Sequence, residues 1–202
     1  MLKIQTLILG TYQTNCYVLS NDERCVLIDP GYEPEGILSF LKSGGLKLEA
    51  ILLTHGHFDH VGGVETLVQE THCDLWMHKN DWAMPLDLVH LHYFPLADCD
   101  FTDVKFCKEG DMISAADLAF TVLETPGHTP GSLCYQCENA LFTGDTLFAG
   151  SCGRTDLPEG NWSQIKTSLC RLKDIRKNLR VYPGHGTSST LIAERHNNPY
   201  LR

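Results

Sequence analysis

The sequence predicts a mixed α/β (α+β) fold. Three observations carry that expectation. Strand-like and helix-like segments alternate along the whole chain. Several apolar strands end in a turn that carries a His or an Asp. One long segment near the C-terminus, Ile165 to Leu179, keeps apolar residues at helical spacing. Interleaved strands and helices of this kind build layered α/β or α+β domains rather than bundles or all-β barrels.

The first thirty residues read as strands, with "NCYVLS" and "RCVLIDPG" flanking the polar turn Asn21-Asp22-Glu23, a hairpin signal. Pro34 opens a helix that runs through Phe40 and Leu41, and Gly44-Gly45 closes it. "EAILLTH" reads as a buried strand ending at His55, "VGGVETLVQETH" as a short helix and "DLWMH" as a strand. Residues 79–110 read as irregular, with Pro85 and Pro95 as breakers. In the second half "LAFTVLETPGH", "ALFTGD" and "LRVYPGH" each read as an apolar strand leading into a turn. The helix carrying Ile165, Leu169, Leu172, Ile175 and Leu179 has Asn161 as its N-cap. No linker or low-complexity segment divides the chain, so residues 1–202 are expected to form one domain. A chain of 202 residues buries roughly 70% of its unfolded surface and needs no staples.

Composition excludes some classes of function. The formal net charge is -9, from 16 basic and 25 acidic side chains, and such a surface repels nucleic-acid backbones. No stretch approaches the ~20 apolar residues of a membrane helix. The N-terminal "MLKIQTLILG" is interrupted by Lys3, Gln5 and Thr6 and does not read as a signal peptide. Nine scattered cysteines then point to reduced thiols and a cytoplasmic location.

The chemistry is concentrated in "LLTHGHFDHVGG", Leu52 to Gly63, where His55, His57, Asp59 and His60 fall within six residues. His128, Asp145 and His185 stand in matching positions at the ends of later strands. Gathering five His and two Asp is costly unless something compensates them. A metal does so, and an imidazole and carboxylate set without Cys suits zinc, with iron or manganese as alternatives. A mononuclear site uses three or four protein ligands, so seven candidates suggest two metals. His55 and His57 are two residues apart and point the same way in an extended turn, so they can share one metal. Asp59 and His60 would face the second, and Asp145, from a separate strand, is the natural bridge. Gly56 is expected to allow the tight turn between two ligands, and Gly62 and Gly63 to let the following helix approach the metals. Asp29, at the end of "VLIDPG", is a candidate hydrogen-bond partner for a ligand histidine.

Other polar residues carry blander readings. His72, His78, His90, His92 and His196 read as ordinary hydrogen-bonded histidines. Cys134 and Cys137 sit in a strand-like stretch and read as strand cysteines, and Cys152 as a packed thiol. The basic residues from Lys166 to Arg180 read as part of the last long helix, where cations complement its dipole and stay solvated, and not as a binding patch. Two metals roughly 3.5–4 Å apart can share a water and lower its pKa from about 15.7 towards 7. They can also stabilise a tetrahedral oxyanion. Two divalent ions with two aspartates and a hydroxide leave a net positive core, which favours an electron-rich or anionic substrate. The chemistry indicated is hydrolysis of an activated acyl group, an ester or a phosphodiester.

"THGHFDHVGG", "TPGHTPGS", "FTGDTLF" and "YPGHG", in this order, with "DPG" and "TNCYVL" before them, resemble the metallo-β-lactamase superfamily over nearly the whole chain. The resemblance implies a four-layer αββα sandwich with metals at one edge between two sheets. It implies one metal on His55, His57 and His128, the other on Asp59, His60 and His185, and Asp145 bridging. "GSCGRTDLPEGN" and "ERHNNPYL" look most like single-domain glyoxalase II-like hydroxyacylglutathione hydrolases, which cleave thioesters such as S-lactoylglutathione. By that likeness the substrate is a small acyl-thiol, with Asp59 acting alongside a metal-bridging hydroxide and Arg154 in the loop that touches substrate. The chain departs from two-domain glyoxalase II in lacking its helical C-terminal domain and in having Thr187 where that family has a tyrosine. The competing reading is a mononuclear iron persulfide dioxygenase, holding iron on His55, His128 and Asp145.

Overall fold

The computed structural model describes residues 2–82 and 104–202. Two six-stranded mixed sheets face each other. The first contains β1 (Lys3–Leu9), β2 (Thr14–Asn21), β3 (Arg24–Ile28), β4 (Lys47–Leu52), β5 (Asp74–Met77) and β6 (Val104–Phe106), hydrogen-bonded in that order. The second contains β7 (Met112–Ala115), β8 (Leu118–Glu124), β9 (Leu133–Cys137), β10 (Ala140–Gly144), β13 (Arg180–Pro183) and β14 (Ser189–Thr190). Between β10 and β13 lie a small hairpin, β11 (Leu147–Phe148) with β12 (Ser151–Cys152), and the longest helix, Trp162–Asp174.

Alternation along the strands sorts side chains into layers. From the first sheet Tyr17, Leu19, Val26, Ile28 and Leu52 pack against Phe120, Val122, Tyr135 and Phe142 of the second, forming the central core. The opposite faces of β2, β3 and β4 send Val18, Leu27 and Ile51 towards Ile37, Leu41 and Leu67 of the helices α1 (Pro34–Ser43) and α3 (Val64–Thr71). Leu141 and Val181 pack outwards on Ile165, Leu169 and Leu172 of α5 (Trp162–Asp174) and on Leu191 of α6 (Leu191–Asn197). The order helix, sheet, sheet, helix is the expected αββα sandwich.

Local signals place most elements. Pro34 starts α1, and Gly44 at its C-cap donates to the Phe40 carbonyl. Asn161 caps α5 by accepting from the Gln164 amide at 3.0 Å. α5 ends sooner than its apolar spacing implies: Ile175 is the C-cap with extended backbone, and Leu179 lies beyond it. β4 stops at Leu52, three residues before His55, because the chain there leaves the ladder to turn into the site. The segment read as irregular contains a helical turn α4 (Lys79–Trp82) and strand β6. Pro85, Pro95, His90 and His92 lie outside the described residues. α3 stands where the helix over 61–72 was expected, and a separate turn α2 (Phe58–Val61), not expected, precedes it within the ligand stretch.

Several of the blander readings fit their surroundings, but the helix assigned to the basic residues ends at Asp174, so Arg176, Lys177 and Arg180 lie beyond it. His78 pairs with Glu124 at 3.2 Å, His196 donates to the Ile192 carbonyl at 2.7 Å, and His72 caps α3 in the left-handed region. Cys134 and Cys137 face opposite sides of β9, one in the outer core and one in the central core. No helix among the described residues is long and apolar enough to cross a membrane.

Candidate metal centre

The parallel pairing of β3 with β4 and of β10 with β13 brings their C-terminal ends to one edge of the sandwich. Asp29, the His55–His60 turn, Asp145 and His185 follow these ends, and His128 follows β8, which pairs antiparallel with β9. Cross-sheet hydrogen bonds fix that edge. Tyr17 Oη donates to the Pro183 carbonyl at 2.6 Å, Tyr135 Oη to that of Leu53 at 2.8 Å, and the Leu133 amide to Thr54 at 2.7 Å. The Asn15 side chain donates to the carbonyls of Pro183 and Gly186, holding the turn that carries His185.

The seven sequence-selected residues form two clusters. Ligand atoms of His55, His57 and His128 lie within 4.8 Å of one another, as do those of Asp59, His60 and His185. All but Asp145 and His185 are buried. The Asp145 carboxylate stands between the clusters, 3.5 Å from His128 Nε2 on one side, and 3.4 Å from His60 Nε2 and 3.6 Å from His185 Nε2 on the other.

Four imidazoles are turned so that Nε2 faces this space. His60 Nδ1 donates to Asp29 at 2.9 Å, His128 Nδ1 to the Arg154 carbonyl at 2.8 Å, and His185 Nδ1 to the Tyr12 carbonyl at 3.1 Å. Thr54 gives its hydroxyl proton to Asp29 at 2.6 Å and so accepts from His55 Nδ1 at 3.0 Å. Histidine ligands are typically held through the second ring nitrogen in this way. Asp29 lies near enough to His55 and His60 to form a third cluster. Its oxygens are already taken by the Thr54 amide, the Thr54 hydroxyl and His60, so it orients rather than binds. Its backbone has φ of 54°, in the left-handed region, which turns the carboxylate off the strand and into the site.

The donor set fits metal ions. Among the described residues, neither the buried His55 Nε2 nor Asp145 Oδ1 has a hydrogen-bond partner. Such groups are costly unless something electropositive compensates them. Burial, reinforced by the imidazoles of His60, His57 and His128, pushes His55 well below the ordinary histidine range, so it is a neutral donor. Burial also opposes a charge on His60, but Asp145, Asp29 and Asp59 outweigh it and raise its pKa to about 9. Burial alone would raise the carboxyl of Asp59; the hydrogen bond from His185 and the His60 charge hold it below the usual range. The second cluster therefore sits in a field that favours positive charge, and a cation satisfies it as a proton does.

The glycine expectations need correction. Gly56 is not in the left-handed region; a Cβ on it would lie 3.2 Å from the Asp81 carbonyl oxygen, so the position makes room for Asp81. Cβ atoms on Gly62 and Gly63 would meet the carbonyl oxygens of Gly31 and Pro30 at 2.5 and 2.7 Å. These two glycines admit the Asp29-Pro30-Gly31 turn rather than bringing a helix to the metals.

A cavity of about 150 Å³ opens over the centre, with Tyr12, Phe58, Arg154 and Leu157 around its rim. Tyr12 packs edge-on against Phe58, with ring centroids 5.2 Å apart. The Arg154 guanidinium is exposed and paired with Asp156 by two bonds of 2.7 Å. Its loop is anchored from the C-terminus. Asn198 donates to the carbonyls of Phe148 and Ser151, and buried Glu194 accepts from the Gly150 amide.

The sequence model of the metallo-beta-lactamase superfamily matches residues 9–185, an interval that spans all seven ligand candidates. The chain belongs to this superfamily. As a superfamily member it is a metal-binding hydrolase. It is 33% identical over 211 residues to "Hydroxyacylglutathione hydrolase GloC" of Haemophilus influenzae, covering 99% of this chain and 98% of that protein. Among solved structures it is similar to TTHA1623 in a di-iron-bound form, with TM-score 0.84 and 37% identity, covering 98% of this chain and all (100%) of that one. It is also similar to ETHE1 from Myxococcus xanthus, with TM-score 0.83 and 29% identity over 98% of this chain and 83% of that one. The superfamily fold accounts for the sandwich, while the Asn15, Thr54 and Asp81 contacts escape motif reading. Thr54 and Asn15 sit inside quoted motifs, but nothing in a single sequence separates their roles from those of neighbouring polar residues.

Proposed function

We propose that this chain is one domain, residues 1–202, that hydrolyses a thioester, S-lactoylglutathione or a related acyl-thiol, with two divalent metal ions. The observation that carries the proposal is the Asp145 carboxylate, placed within 3.6 Å of imidazole nitrogens from both clusters. His55, His57 and His128 would hold one ion, Asp59, His60 and His185 the other, and Asp145 both. Zinc suits this set, with iron and manganese as alternatives. When bound, such ions supply a water ionised near neutral pH and positive charge for the oxyanion of the attacked carbonyl.

The chain's own residues do the rest. Asp59, kept ionised and held by the Thr14 hydroxyl at 3.0 Å, orients the attacking oxygen as well as binding metal. Tyr12, Phe58 and Leu157 give the cavity an apolar rim for the acyl-thiol. Arg154 offers a permanent cation to an anionic substrate. A thiolate departs without protonation, so no general acid is required. The likeness to GloC favours a glutathione thioester, and a cytoplasmic setting agrees with reduced cysteines. The likeness to ETHE1 favours a second reading, a persulfide dioxygenase with one iron on His55, His128 and Asp145. Metal analysis of protein purified without added metal separates them: two equivalents support the hydrolase, and a single iron supports the oxygenase.

A further inference from the structure

Asp81 lies on α4, buried at 5% exposure and outside the ligand set. Its carboxylate joins two loops that are far apart in sequence. Oδ2 accepts from the Gly56 amide at 2.9 Å and from the Thr129 hydroxyl at 2.7 Å, and Oδ1 accepts from the Gly131 amide at 2.6 Å. Gly56 separates His55 from His57, and Thr129 follows His128. One buried side chain therefore fastens both segments that carry the three-histidine cluster. Among the described residues, its donors flank His55, His57 and His128, and none of them lies next to Asp59, His60 or His185.

Two glycines exist on the terms of this contact. A Cβ on Gly131 would lie 2.4 Å from Asp81 Oδ1, and one on Gly56 would lie 3.3 Å from Asp81 Cβ. A side chain at Gly131 would strike the carboxylate itself, and one at Gly56 would crowd the backbone and Cβ of Asp81. Buried amides without an acceptor are strongly disfavoured, so the loops are committed to the spacing that Asp81 sets.

We infer that Asp81 is a positioning residue that sets the convergence of His55, His57 and His128, and with it the affinity of that half of the centre for metal. The inference rests on the two-metal reading above. An asparagine here keeps the size but places an amide N–H₂ against the backbone N–H of Gly56 or of Gly131, because both carboxylate oxygens are acceptors. Outer contacts of this kind typically change metal affinity by about 10- to 100-fold.

The test titrates metal-free full-length protein with Co²⁺, reading bound equivalents by equilibrium dialysis and ligand geometry by the visible absorption of the ion. Wild type is expected to take two equivalents. Asp81→Asn is expected to keep one at wild-type affinity and to bind the other at least tenfold more weakly, with an altered spectrum. Thr129→Val removes one of the three bonds and should weaken the same equivalent to a smaller degree; it carries the test if Asp81→Asn does not fold. Wild-type affinity for both equivalents in a folded variant, or equal weakening of both, overturns the inference. Fewer than two equivalents in the wild type overturns the two-metal reading itself and the inference with it.

Discussion

Asp29 Oδ2 accepts a hydrogen bond from His60 Nδ1 at 2.9 Å, and both side chains are almost wholly buried. The same oxygen receives the Thr54 hydroxyl proton, and Thr54 in turn accepts from His55. One aspartate thus fixes the ring orientation of one histidine in each cluster. Asp29→Asn removes one acceptor and puts a donor in its place. Metal affinity should fall about 10- to 100-fold, read by competition with a chromophoric chelator. Unchanged affinity would show that the rings hold their orientation without Asp29.

Asp145 tests the shared-ligand role. Asp145→Ala takes away the carboxylate that faces His128, His60 and His185. Bound metal and turnover should be lost together. A variant that retains two equivalents and full turnover would remove Asp145 from the centre.

Arg154 and Asp156 make a paired prediction about substrate binding. Arg154→Ala should raise KM for an anionic thioester severalfold with a smaller effect on kcat, because the guanidinium lies at the cavity rim rather than at the clusters. Asp156 pairs with that cation and would compete for it with an anionic substrate, so Asp156→Asn should lower KM. Steady-state kinetics of both variants decide the matter: a loss confined to kcat in the first, or an unchanged KM in the second, counts against the role.

Gly184 reports how tightly the centre is packed. A Cβ there would lie 2.2 Å from Asp145 Oδ1 and 2.7 Å from His60 Cε1. Gly184→Ala should destabilise the protein by about 1–3 kcal/mol through overpacking and displace Asp145. Chemical denaturation with metal analysis measures both, and an unperturbed variant would mean that the turn yields freely.

The fold was legible where chemistry and periodicity coincide. Pro34, Gly44 and Asn161 mark helix ends through local backbone chemistry that neighbours cannot override. α2 was missed because four residues are too few to show a helical period, and its sequence, Phe58 to Val61, is dominated by polar ligand candidates. Leu179 kept the helical spacing by coincidence, since it is an outer-core residue after α5 has ended. The seven ligand candidates stood out because His and Asp at strand ends need compensation. Asp81 and Asn15 did not, because one buried polar residue is indistinguishable from a solvated one until its partners are known. Gly56 shows the same limit: its lack of a side chain was visible, while the reason, the close approach of Asp81 from twenty-five residues away along the chain, was not.

Thiol release from S-lactoylglutathione, run beside oxygen uptake with glutathione persulfide on one metal-counted sample, tests the central claim most directly. The two-metal hydrolase requires release of glutathione in proportion to the fraction of protein holding two equivalents, loss of activity on chelation, and no oxygen uptake. Rapid oxygen uptake by a sample holding a single iron, with no thiol release, would contradict it and establish the dioxygenase.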